Sequence, residues 1–238
     1  MLSEPMMMLQ EFEQCYEVVK PAVKNDEAAF IWHSGVPHFI LNAVMHLYCE
    51  GDVVASLDSF LNAAVPISVW VHSQNRAEGL IEILKARGFQ LMVVCPLMVW
   101  QVKATGEPKF QVAVAAGEKM EIYHEILANC FQFGEEIKSK MMDLMKRAQV
   151  ENYLVYDEEN PVGTGTLCVS GKTGAIFNDA TLLEFREKGC GVSMMQFLMK
   201  RAYELGLERL IVLSAPDDES AYRNLGFQKT LEIEIYAQ

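Results

Sequence analysis

Apolar residues recur at helical spacing in some stretches and in short unbroken runs in others, so the chain reads as helices alternating with buried strands. In the first half the pattern predicts helices over residues 5–19, 39–49, 55–64 and 76–86. Strands are expected at 29–33, 67–72 and 90–101, the last broken at Pro96. A polar, turn-rich interval at 103–109 then separates two apolar regions. Beyond it the pattern predicts a strand near 110–114, helices at 118–130 and 135–147, and strands at 152–156, 162–169 and 175–182. An amphipathic helix carrying Val192, Met195, Leu198, Met199, Ala202 and Leu205 stops at Gly206. A strand at 210–213, a short helix and a strand through 231–235 close the chain, giving an α/β (α+β) class.

The junction between the strand ending at Leu182 and the helix starting near Val192 carries the clearest chemistry. Gly189 and Gly191, one residue apart, can take backbone angles closed to other residues and aim their N–H groups outward. The helix adds free N–H groups and the positive end of its dipole, and together these suit a pyrophosphate. Arg186, Gly189 and Gly191 also stand in the order Gln or Arg, two residues, Gly, one residue, Gly or Ala. Downstream, Tyr222 lies four residues ahead of the pair Gly226-Phe227. In these two motifs, over roughly residues 110–238, the chain resembles the GNAT superfamily of acyl-CoA-dependent N-acetyltransferases, which implies the GNAT fold, a mixed central sheet flanked by helices. Leu183 stands where that family often has proline, a departure the glycines tolerate.

The two halves echo one another. Residues 67–71, a polar turn, a helix and Gly88-Phe89 parallel residues 210–213, a polar turn, a helix and Gly226-Phe227. Helix capping also generates strand–helix–Gly-Phe patterns without common ancestry. The first half has Leu84 in the place of Tyr222 and no Gly-x-Gly turn. Residues 1–105 are therefore read as a smaller, degenerate GNAT-like domain without acyl-CoA chemistry, and residues 106–238 as the catalytic GNAT domain. Packed together they would form an intramolecular pseudo-dimer within a monomer.

Charge and composition narrow the partners. Thirty-two acidic against 20 basic residues give a net charge of −12, which repels nucleic-acid backbones and draws in a cationic amine, although it also simply keeps a protein soluble. The longest apolar run, 91–100, is interrupted by Pro96 and too short to span a bilayer, so no membrane association is expected. Glu4 and the absence of early basic residues do not read as a signal peptide, and a cytoplasmic location follows. The six cysteines and five histidines lack metal-ligand spacing, so no metal is expected and the thiols read as reduced.

The resemblance implies acetyl-CoA as co-substrate and a small-molecule or peptide amine as acceptor, with direct attack of the neutral amine on the thioester. It places main-chain groups of Ala180, Thr181 and Leu182 along the pantetheine arm. Arg186, Glu187, Lys188, Gly189, Cys190, Gly191 and Val192 surround the pyrophosphate. Tyr222 would meet the departing thiolate with a proton, and Cys190 is filler rather than nucleophile. Asn178 and Asp179 point to opposite faces of their strand, and Asp179 is the first candidate for general base, with Glu151, Asp157 and Glu135 as alternatives. Residues 131–133 and 32–38 are candidates for the acceptor wall. The competing reading is a non-catalytic acyl-CoA-binding or interaction module on the same fold.

Overall fold

The computed structural model describes residues 3–19, 24–25, 30–46, 65–72, 79–145 and 150–238. In the first half these form helix α1 (Glu4–Val19), strands β1 (Lys24–Asn25), β2 (Phe30–His33), β3 (Asn42–His46) and β4 (Ser68–His72), helix α2 (Leu80–Ala86) and strand β5 (Gln90–Gln101). The second half holds β6 (Val112–Val114), α3 (Lys119–Phe131), α4 (Glu135–Met145), β7 (Glu151–Asp157), β8 (Asn160–Ser170), β9 (Thr173–Thr181), α5 (Cys190–Glu204), β10 (Arg209–Leu213), α6 (Glu219–Asn224) and β11 (Gln228–Ala237). The helix expected at 55–64 lies outside the described residues.

One mixed sheet runs through both halves, in the order β1-β2-β3-β4-β11-β5-β10-β9-β8-β7-β6. Its two parallel pairs are β3–β4 and β9–β10, and the other pairings are antiparallel. The centre of that order is an exchange. Strand β5, which follows β4 and α2 in the chain, lies between β10 and β11; strand β11, which follows β10 and α6, lies between β4 and β5. Each half thus completes its sheet with the last strand of the other, and β4-β11-β5-β10 repeats itself about a local two-fold between β11 and β5.

Alternation along the strands divides the apolar side chains between two faces. On one, α1 packs Leu9, Phe12 and Tyr16 into a core with Trp32, Trp70, Leu97 and Ile233, and α3 covers Leu154 beside it. On the other, α5 and α6 cover Trp100, Leu167, Leu210 and Phe227, while α2 covers Val69, Val71 and Tyr236.

Two expectations fail for identifiable reasons. The helix expected at 39–49 is instead a 3-10 turn, Phe39–Leu41, followed by β3. Ala43, Val44 and Met45 are all 0% exposed, so this strand is buried on both faces and its unbroken apolar run is indistinguishable by period from a buried helix. Asn42 fixes the start: its amide donates to the carbonyls of Val36, His38 and Pro66 and its Oδ1 accepts from the backbone of Ser34 and Gly35. The break expected at Pro96 does not occur either, and β5 is continuous. The carbonyl of Pro96 accepts from Ser214 N at 3.0 Å, so its ring nitrogen also faces the β10 side, just past the last β5–β10 pair, Leu97 with Leu213. The missing N–H therefore costs no ladder bond and coincides with the end of β10.

Candidate functional site

Strands β9 and β10 run side by side only from Thr173/Arg209 to Ile176/Val212. Beyond that point β10 ends and β9 continues through residues 177–181, still paired to β8. Among the described residues, the outer edge of this stretch of β9 has no strand partner. At the parting β9 also carries a bulge: Thr166 pairs with Phe177 but Thr164 with Ala180, so one extra residue enters β9, and Asn178 takes a left-handed φ of 55°.

The bulge decides where the side chains go. Phe177 packs with α1, its ring 5.9 Å from Phe12 and 5.7 Å from Tyr16, and Asn178 reaches Thr166 on the same face. In a regular strand Asp179 would share the face of Phe177. The extra residue turns it over, toward α6. There the Tyr222 hydroxyl donates to Asp179 Oδ2 at 2.8 Å. Burial pushes the Asp179 carboxyl up to about 6, helped by nearby Asp218 and opposed by the Tyr222 hydrogen bond. Burial, with the adjacent Asp179 charge, holds the Tyr222 phenol well above its usual range, so it stays protonated.

The glycine turn leads from the end of β9 into α5 through a 3-10 turn, Leu183–Phe185. Its two glycines serve different needs. Gly189, at φ 95°, is the left-handed residue before the helix; Gly191 lies so close to β9 that a Cβ would sit 3.2 Å from Thr181 Oγ1. Glu187 adds a second left-handed turn at φ 66°. The first helical bond runs from Ser193 N to Gly189 O, so the N–H groups of Cys190, Gly191 and Val192 have no carbonyl one turn behind them. Lys188 holds its ammonium 4.2 Å over the Phe185 ring and 3.8 Å from Asp157. The backbone of this turn thus leaves N–H donors at a helix start, an arrangement that suits an anion such as a diphosphate.

The other sequence candidates sort themselves by position. Leu182 N–H is given to Val162 O at 2.9 Å, and by alternation Ala180 also directs its amide toward β8, which leaves Thr181 facing the open edge. The Thr181 carbonyl accepts from Arg186 Nε at 3.2 Å. Cys190 is fully buried and burial raises its thiol, so it is not a poised nucleophile. Glu151 is held by a two-pronged contact with Arg201, at 2.7 and 2.9 Å, which lowers its pKa, and Asp157 and Glu135 pair with Lys188 and Lys138. Tyr222 hydrogen-bonds none of these three.

On the α1 face of the parting, the two segments expected to wall the acceptor site meet. The His38 ring lies 5.1 Å from Phe133 and 5.0 Å from Phe39, and Phe133 stacks on Phe131 at 5.6 Å. Phe39, Phe133, Phe177 and Leu213 are half-buried members of the same apolar cluster. Sequence reasoning missed the side chains that hold the bulge, Tyr123, Asn152, Thr164 and Thr166, although the repeat Gly163-Thr164-Gly165-Thr166 was there to be read.

A parallel pair that opens beside a glycine-lined helix start suits a long, phosphate-bearing thioester drawn in along a strand edge, and the class this defines is that of the acyltransferases. Residues 120–227 match the Acetyltransferase (GNAT) family, so the chain carries a GNAT acetyltransferase domain over those residues and the protein is an acyltransferase. No curated protein matches the chain. Among solved structures it is similar to a GCN5-related N-acetyltransferase from Kribbella flavida, at 15% identity and TM-score 0.74 over 100% of this chain and 96% of that one. It is also similar to a conserved protein of unknown function from Staphylococcus epidermidis, at 17% identity and TM-score 0.71 over 92% and 94% of the two chains. At these identities the likeness is one of fold, and it extends through the first half. No helix among the described residues is long and apolar enough to cross a membrane.

Proposed function

We propose that the protein transfers the acetyl group of acetyl-CoA to a primary amine by direct attack within a ternary complex. The observation that carries this reading is the Tyr222–Asp179 hydrogen bond, 2.8 Å long, at the point where β9 and β10 part. Acetyl-CoA supplies the thioester; the chain supplies its seat and manages the protons. The amides of residues 187–192 and the α5 dipole would hold the diphosphate, and the free edge at Thr181 and Asp179 would pair with the pantetheine amides as a strand does. Through the opening between β9 and β10, which joins the α1 and α6 faces, Asp179, with its raised pKa, accepts the proton the amine loses as its nitrogen bonds the carbonyl carbon. Tyr222 gives its proton to the sulfur as the carbon–sulfur bond breaks, and recovers one from Asp179 through their shared bond.

The first half contributes no cofactor seat in this reading. It is a second, degenerate copy of the fold whose His38 and Phe39 complete the acceptor wall with Phe133. Because that wall is made of rings and aliphatic groups, the amine it favours is borne on an apolar or aromatic body.

A panel of primary amines, mixed with the protein and acetyl-CoA and followed by release of free thiol, tests the reading. At least one amine bearing an aromatic body should release coenzyme A, and Gly189→Glu should abolish calorimetric coenzyme A binding by placing a carboxylate at the seat. Coenzyme A binding with no thiol release from any amine contradicts the catalytic reading. Unchanged affinity in Gly189→Glu contradicts the assigned seat.

A further inference from the structure

The bulge that turns Asp179 toward Tyr222 is not held by the sheet ladder alone. Thr164 Oγ1 donates to the carbonyl of Asn178 at 2.7 Å, and Asn178 Nδ2 donates to Thr166 Oγ1 at 3.3 Å. Thr166 Oγ1 in turn donates to Asn152 Oδ1 at 2.7 Å. A threonine hydroxyl has one proton, so the Tyr123 hydroxyl, which also contacts Thr166 Oγ1, must be the donor in that pair. Burial keeps the Tyr123 phenol far above its usual range, and it remains protonated for that purpose. Thr166 thus accepts twice and donates once, with every hydrogen-bonding position used. Tyr123, Thr164 and Thr166 are 0% exposed, so their three hydroxyls are shut off from bulk solvent.

The placement explains an otherwise odd stretch of sequence. Thr164 and Thr166 face α3 and the bulge, while Gly165 between them faces α5, where a Cβ would stand 2.8 Å from Met194 Sδ. The two hydroxyls are buried on a strand whose other face is packed against a helix, a position where valine would serve packing equally well and cost less desolvation. Asn178 takes the left-handed φ that the bulge requires, a conformation asparagine tolerates better than most non-glycine residues.

We propose that Thr164, Thr166 and Tyr123 are positioning residues for the acyl-transfer reaction: they lock the Asn178 bulge and thereby hold the Asp179 carboxyl against Tyr222. This rests on the reading of Asp179 and Tyr222 as the proton-handling pair. It goes beyond that reading by tying the geometry of the pair to a buried network on the opposite face of the sheet.

Thr164→Val and Thr166→Val keep shape and remove one hydroxyl each, and Thr164→Ser and Thr166→Ser restore the hydroxyl. Each valine variant should lose turnover by about 10- to 100-fold, the cost of misplacing a reacting group by a fraction of an ångström to an ångström. Coenzyme A affinity by calorimetry should fall by much less than turnover, because neither Thr164 nor Thr166 bonds the turn at residues 187–192 that would hold the diphosphate. The acidic limb of the kcat/KM profile should move away from pH 6 as Asp179 leaves Tyr222, and each serine variant should return both turnover and limb to those of the unaltered protein. Valine variants that keep full turnover, or that lose it with the limb unmoved, overturn the proposal. If one valine variant does not fold, judged by circular dichroism, the other decides. Asp179→Asn and Tyr222→Phe measured alongside separate the two levels: full turnover in those variants removes the underlying pair, whereas their inactivity with active valine variants removes only the positioning role.

Discussion

The helix turn that carries Tyr222 has a counterpart in the first half that does the same structural work without the hydroxyl. In the second half Phe227 N donates to Tyr222 O at 3.0 Å and Gly226 N to Arg223 O at 2.9 Å, with Gly226 at φ 94°. In the first half Phe89 N donates to Leu84 O at 3.0 Å and Gly88 N to Lys85 O at 3.0 Å, with Gly88 at φ 85°. Both are the glycine-terminated helix cap in which the residue after the glycine packs on the residue five before it. Tyr222 and Phe227 meet edge to face at 5.5 Å, and Leu84 and Phe89 share one apolar cluster. The cap therefore needs an apolar residue at this position and a glycine four residues on, and nothing more. The phenolic hydroxyl of Tyr222 is surplus to it. What the second half adds around that hydroxyl is a strand that bulges to bring a carboxyl, and a glycine turn beyond it.

Changing that hydroxyl should break the equivalence most visibly. Tyr222→Phe keeps the ring contact that the cap requires, and turnover should fall by about 100-fold or more in steady-state assays while coenzyme A still binds in calorimetry. A variant with ordinary turnover would make Tyr222 as structural as Leu84.

A smaller effect is expected on stability at Asp179, which has no counterpart in the cap. Its folded pKa of about 6 is raised from the usual 3.8, so the stabilising contribution of the protonated form is complete below about 3.8 and is lost as pH rises through about 6. Asp179→Asn should therefore raise stability at pH 7 by on the order of 1–3 kcal/mol in denaturant titrations, with little gain at pH 3.5. The same variant should lose the acidic limb of the rate profile. Equal stability gains at both pH values would remove the raised pKa from the account.

The mildest changes sharpen the likeness instead. Gly88→Ala and Gly226→Ala each place a side chain at a left-handed residue with no close obstruction, and each should cost about 1–2 kcal/mol in thermal unfolding. Costs that differ severalfold would mean the two caps are not equivalent.

The cap and the turn were legible in the sequence because both are local. Glycine spacing, helix period and the Gly-Phe pair lie within one or two turns of the residues they govern, and the structure places them where the periodicity puts them. The exchange of β5 and β11 was not legible, since strand period names a face and never a partner, and the partners here come from opposite halves of the chain. Residues 42–46 were mistaken for helix because burial on both faces erases the two-residue alternation. Pro96 was read as a break because sequence does not tell which side of a strand its nitrogen faces. The bulge at Asn178 was hidden for a related reason: one extra residue leaves no mark on composition, only an asparagine at left-handed φ beside two threonines whose hydroxyls look like ordinary strand formers. Asp179 still emerged as a candidate from its place on the strand that leads into the glycine turn, and the bulge supplies the reason that it meets Tyr222.

The central claim is that the acyl donor enters where β9 and β10 part, and electron density for coenzyme A in crystals of the complex tests it most directly. The account predicts the diphosphate on the amides of residues 187–192 and the pantetheine arm along the free edge of β9 at Thr181. Density for the nucleotide between β3 and β4, in the half without the glycine turn, would contradict it.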